Sequence, residues 1–109
     1  MLPRRQRLSR PGFAALSRGK RAASAHFLVI FAPPPARGCA VVVPKKVASR
    51  AVDRHLLKRR VSAVIGPSCS SIGALVVHAK PGALALSYPA LRQELLTLIH
   101  SAMTPARHR

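Results

Sequence analysis

The chain has 109 residues, 49% of them hydrophobic, and sets 19 Lys and Arg against two acids, Asp53 and Glu94, for a formal net charge of +17. That length holds one domain of ordinary size and not two, and clustered apolar runs argue for a buried core over a wholly disordered polymer. Two carboxylates exclude a two-metal nuclease centre built by the protein, which needs several Asp or Glu close together; the cationic excess points instead to a polyanion, RNA or DNA, as partner.

The charge is uneven: residues 1–60 hold 15 of the 19 cations and one acid. Residues 1–8 read as a mobile basic arm carrying Arg4, Arg5 and Arg7. Ser9 as N-cap, Pro11 in a first turn and Gly19 as a stop predict a short helix at 10–18 with Phe13 and Leu16 on its buried face. The Arg-rich, acid-free composition of the first 25 residues also matches a mitochondrial transit peptide, a reading that predicts cleavage near residue 25 and loss of Phe13.

Residues 26–32 form a continuous apolar run with two aromatics and predict a strand. Pro33-Pro34-Pro35 breaks it, and a second strand follows at 39–43; so short a connection favours antiparallel neighbours. These are the longest apolar runs, far below the ~18 residues of a membrane span. Cys39 and Cys69 show no CxxC spacing, so reduced, buried thiols are expected and not a disulfide or zinc site.

A helix is expected at 49–65, stopped by Gly66-Pro67, with an apolar seam of Leu57, Val61, Val64 and Ile65. From Lys45 to Arg60 the sequence places seven Lys or Arg and one acid in sixteen positions. Cations near a helix N-terminus oppose its macrodipole, and like charges four apart repel, by a few tenths of a kcal/mol up to ~1 each. A polyanion relieves both penalties, so Lys45, Lys46, Arg50, Arg54, His55, Lys58 and Arg59 are the candidate phosphate-docking residues. A third strand is expected at 74–79, ended by Lys80-Pro81-Gly82. Ser87 then caps a last helix reaching about residue 103 with Leu91, Leu95, Leu98 and Ile99 inward, and 104–109 is a flexible tail. Phe31 and Tyr88 are assigned to packing. Metal-free RNA cleavage by two histidines and a lysine stays open through His26, His55 and His78.

Specific residues across nearly the whole chain resemble the protein subunit of bacterial ribonuclease P. They are Arg7-Leu8, Phe13 and Gly19; Val43-Pro44-Lys45-Lys46-Val47 followed by Arg54-His55-Leu56-Leu57-Lys58-Arg59; Lys80-Pro81; and Leu86-Ser87-Tyr88. The resemblance implies an α+β, two-layer α/β sandwich like domain 2 of ribosomal protein S5, with a left-handed βαβ crossover and order α-β-β-α-β-α. A single domain would cover 9–103. It further implies a cytoplasmic ribonucleoprotein in which one protein joins one ribonuclease P RNA, that RNA holds Mg²⁺ and cleaves the 5′ leader from precursor tRNA, and the protein itself is not catalytic. Lys45, Lys46, Arg50, Arg54, His55, Lys58 and Arg59 would face the catalytic RNA, and Phe13, Phe27 and Arg7 the leader.

The chain departs from the family pattern at named positions. His55 and Leu56 replace an Asn and an Arg, Ser62 stands where a cation is common although Arg60 adds one back, and Ser17 and Ile30 replace aromatics. A structural RNA-binding protein of ribosomal type shares the composition; the joint spacing of Lys45-Lys46 with Arg54, Lys58 and Arg59 favours the processing subunit.

Overall fold

Two stretches of sequence are apolar on both of their alternating faces, Phe27–Ala32 (FLVIFA) and Ala74–Ala79 (ALVVHA). Such strands bury both faces only in the middle of a sheet. In the computed structural model, which describes residues 19–32, 38–68 and 73–103, they take that place. Strands β1 (Lys20–Ala23), β2 (Phe27–Ala32), β3 (Gly38–Val42) and β4 (Ala74–Ala79) form one sheet in the order β1-β2-β4-β3. Helices α1 (Ala51–Ile65) and α2 (Tyr88–Met103) contribute to one core with one face of that sheet. The architecture is α+β, with a mixed four-stranded sheet. The arm at 1–8, the expected first helix at 10–18 with Arg7 and Phe13, the turn at 33–37, Cys69 and the tail at 104–109 lie outside the described residues.

The pairing corrects one expectation. β2 and β3 are not neighbours, because β4 is inserted between them, antiparallel to β2 and parallel to β3. The physical reason is burial: β4 has five of six residues buried and needs partners on both edges, whereas β3 leaves Val42 exposed and suits a sheet margin. Parallel pairing then requires a crossover, which α1 supplies. β1 is the other margin, held antiparallel to β2 from Lys20↔Phe31 to Ala23↔Leu28.

Inward, Phe27, Val29 and Phe31 of β2 and Leu75, Val77 and Ala79 of β4 meet the predicted helix seams, Leu57, Val61, Val64 and Ile65 of α1 and Leu91, Leu95, Leu98 and Ile99 of α2. The opposite face gathers a smaller cluster of Ala32, Ala74 and Val76, with Ile30 and Ala40 beside it.

Three further expectations change. Phe27 is 0% exposed within the core, so its ring offers no face to a nucleotide and leaves the candidate leader set. Tyr88, assigned to packing, is exposed at the start of α2, one turn before the buried seam begins. α1 does end at Ile65 with Gly66 as its C-cap, as expected; Gly66 is αR, and the chain continues as a 3₁₀ turn, Gly66–Ser68. Cys39 is disulfide-bonded, against the expected reduced thiol, and Cys69 is the only other cysteine in the sequence.

Candidate nucleic-acid interface

The interface begins where β3 ends. Val43 and Ala48 are buried and Val47 is packed against the core, while Pro44 O accepts from Val47 N–H at 3.0 Å and Ala48 N–H at 3.3 Å. This turn is pinned by apolar residues on both sides, so Lys45 and Lys46 at its tip are left exposed together.

Arg50 occupies the N-cap of α1 in an extended conformation and makes no side-chain cap. Its carbonyl accepts from Asp53 N–H and Arg54 N–H, each at 3.1 Å, and its Nε lies 3.2 Å from Asp53 Oδ2. Asp53 thus places an acid in the first turn, where the macrodipole favours it. Arg54, a candidate phosphate-docking residue in the sequence, is engaged within the protein. Its Nη1 donates to Ala48 O at 3.0 Å and Ser49 O at 2.8 Å. A half-buried guanidinium thereby ties the Lys45-Lys46 turn to the helix, a positioning role that competes with phosphate contact for the same nitrogen.

Helical geometry of ~100° per residue sets Arg54 and Lys58 toward the flank of the buried seam, and both are half-buried. His55 and Arg59 fall on the opposite crest and are exposed, as are Val52, Leu56 and Ala63. Arg60 is half-buried on the other flank, and Ser62 is buried at 8% exposure. The seven candidates therefore divide. Lys45, Lys46, Arg50, His55 and Arg59 are exposed, and Arg54 and Lys58 support them from the side.

Sequence reasoning missed the cations of β1. Lys20 and Arg21 are exposed on a margin strand, and Arg21 lies on the sheet face away from the helices, as does His78 of β4. Burial, and then the Arg21 charge, push the His78 pKa below its usual 6.5. No pattern in Lys-Arg-Ala-Ala announces a strand; it exists because β2 needs a partner.

The second acid is also engaged. Ser24 Oγ donates to Glu94 Oε2, the His26 backbone N–H donates to the same oxygen at 2.8 Å, and His26 Nδ1 lies 2.9 Å from Oε1. Burial acts to raise the Glu94 pKa, but these hydrogen bonds and the imidazole beside it prevail and hold it below the usual 4.5. Lys80 Nζ donates to Ser24 O at 2.8 Å, and Lys80 N–H to His26 O at 2.8 Å. Gly82, at φ +96°, lets the next turn lie against the imidazole, since a Cβ there would stand 3.1 Å from His26 Cδ2. The cluster clamps the β1–β2 turn to α2. The carboxylate holds both Ser24 and His26, so this is no serine–histidine relay.

His26 in that clamp, His55 on the α1 crest and His78 on the far sheet face occupy separate surfaces, which removes the two-histidine cleavage reading. Among the described residues no group of three or more His, Cys, Asp or Glu is placed to hold a metal ion, and no helix is long and apolar enough to cross a membrane.

Comparisons with known proteins bear on the family and the fold. A family model described as Ribonuclease P matches residues 2–103. The ribonuclease P protein components of Bordetella parapertussis and Bordetella bronchiseptica are each 34% identical over 114 residues, spanning 96% of this chain and 78% of theirs. In fold the chain is similar to a Staphylococcus aureus RNase P protein mutant with defective mRNA degradation activity, with a TM-score of 0.76 at 19% identity over 90% of this chain and 88% of that one. It is also similar to the RNase P protein from Thermotoga maritima in complex with 1-(4-fluorophenyl)-2-thiourea, with a TM-score of 0.67 at 22% identity over 82% and 91%.

Proposed function

The chain belongs to the family of bacterial ribonuclease P protein components, and from that premise we propose how its residues serve the holoenzyme. It is the protein subunit of an endoribonuclease that acts with its RNA in maturing the 5′ end of precursor tRNA. Lys45, Lys46, Arg50, His55 and Arg59 contact the catalytic RNA, with Lys58 at the flank and Arg54 fixing the turn against α1. Displacing condensed counterions from that RNA drives association and makes it strongly salt-dependent. Phe13 and Arg7 serve the precursor leader, an aromatic face with a cation beside it.

The bond is cut by the RNA with Mg²⁺ that the RNA holds. The donor set of this chain supports the assignment: its only acids are Asp53, beside Arg50, and Glu94, held by Ser24 and His26 on another element. One protein binds one RNA in the cytoplasm, through a single domain over 9–103 flanked by a basic arm and a tail. The left-handed β3–α1–β4 crossover and the likeness to ribosomal protein S5 domain 2 belong to this same reading.

The observation that carries it is the exposure of Lys45 and Lys46 at the turn and of His55 and Arg59 on the crest of the helix that follows, on a well-packed domain. Adding the purified protein to a bacterial ribonuclease P RNA at low magnesium tests it. Stimulated cleavage of a precursor tRNA is the expected result. Absence of stimulation, or cleavage by the protein without RNA, overturns it.

A further inference from the structure

The crest of α1 is not uniformly cationic. Val52, Leu56 and Ala63 fall at i, i+4 and i+11 on the same side as Arg59 at i+7, and all are exposed. Val52 retains 65% of its surface and Leu56 39%; the other exposed large apolar residues among the described residues, Val42, Tyr88 and Leu96, lie on β3 and α2. Single exposed apolar residues are ordinary. Two adjacent ones, in the helix that carries the densest charge of a +17 chain, form a surface of mixed chemistry. Apolar side chains gain nothing from phosphate oxygens, so the strip has no use in a purely electrostatic contact.

A partner for this crest has to satisfy the apolar strip and the cations at once. A protein surface would need about 800 Å² per side for stable binding and would strip water from His55, Arg59 and Arg60 around two aliphatic side chains. An unpaired nucleotide fits without that conflict. Its base presents a flat apolar face that two aliphatic side chains can cover, and its phosphate remains attached beside it for the neighbouring cations. We propose that Val52 and Leu56 form a platform for one unpaired base of the ribonuclease P RNA, with Arg59 and His55 taking the phosphates that flank it. Resting on the RNA-binding face proposed above, this assigns α1 a shape-selective contact in addition to a charge contact. Leu56, standing where the family carries a cation, then exchanges one phosphate contact for recognition of an extruded base.

The test compares wild type with Val52→Ala/Leu56→Ala and with Leu56→Arg. Alanine is the best helix former and both sites are exposed, so unfolding by circular dichroism should show the double variant at least as stable as wild type. Its affinity for a bacterial ribonuclease P RNA is expected to fall about five- to tenfold, with the slope of log affinity against log salt unchanged. Base-specific chemical probing should lose protection at one or two unpaired nucleotides, while the hydroxyl-radical footprint of the backbone stays. Leu56→Arg should steepen the slope by about one without restoring that base protection. Wild-type affinity of the double variant at every salt concentration would overturn the platform. So would loss of the backbone footprint together with the base protection, or a self-association by sedimentation that the double variant abolishes while RNA binding persists. Failure of the underlying reading is a separate result, in which wild type itself binds this RNA independently of salt.

Discussion

Helices α1 and α2 differ by one residue in length and contribute to the same core, yet their ends and outer faces follow opposite rules. α2 begins with Ser87 Oγ accepting from Ala90 N–H at 3.3 Å and carries only Arg92 and Glu94 as charged residues. α1 begins on Arg50 without a side-chain cap, gathers its cations from the first turn onward and has none in its last turn, where the macrodipole would favour them. The difference teaches that a helix whose work ends with packing can satisfy every local preference. A helix that must also meet a polyanion gives up part of its own stability to do so.

The largest effect expected from breaking this division comes from the core. Leu95→Ala, at a fully buried position of α2, should lower unfolding free energy by about 2–5 kcal/mol, read by urea denaturation, while the folded fraction binds RNA as wild type does. Loss of RNA affinity beyond the loss of folded protein would mean that α2 also takes part in recognition. On the other side, removing Lys45, Lys46, His55 and Arg59 together by alanine should weaken RNA binding roughly 100-fold at 0.15 M salt and reduce the salt slope by about three. Thermal stability should not fall. A fall would make these side chains structural.

Acid sharpens the contrast at two other places. His78 has a folded-state pKa below 6.5, so the unfolded chain takes up the proton first and stability declines as pH falls from 6.5 toward the lowered value. Glu94 is depressed below 4.5; its contribution is complete above that pH and is lost as pH falls through the folded value. His78→Gln should remove the first decline and Glu94→Gln the second from a profile of stability against pH, at some cost in stability at neutral pH for the latter. A profile that either variant leaves unmoved would refute that assignment. The smallest effects lie at the caps. Ser87→Ala should cost about 1 kcal/mol, whereas Arg50→Ser should add about 0.5 kcal/mol while weakening RNA binding, measured by denaturation and by filter binding.

Much of this was legible before any coordinates. The eight seam positions of the two helices are all buried, the Ser87 cap is present, and the edges of β2, β3 and β4 fall within a residue of the expected ones. Each of these follows from local periodicity. β1 escaped because Lys-Arg-Ala-Ala has no strand character apart from its partner, and the strand order escaped because adjacency in a sheet is settled by burial across the whole domain. At the interface, exposure of Lys45 and Lys46 follows from their place between a strand and a helix. The return of Arg54 to Ala48 O and Ser49 O does not, since it depends on the path of the turn. Phe27 shows the same limit in reverse, because an aromatic in a strand can serve a core or a base equally well until the sheet has two faces.

The insertion of β4 between β2 and β3 has a consequence for the order of events during synthesis. Both neighbours leave the ribosome before the strand that joins them exists, so no fragment ending before residue 79 can close the sheet. By then 15 of the 19 cations have been synthesised on a chain whose sheet is still open, and non-local pairing of this kind is slow to form. The nascent polypeptide therefore carries most of its charge before it has a fixed shape.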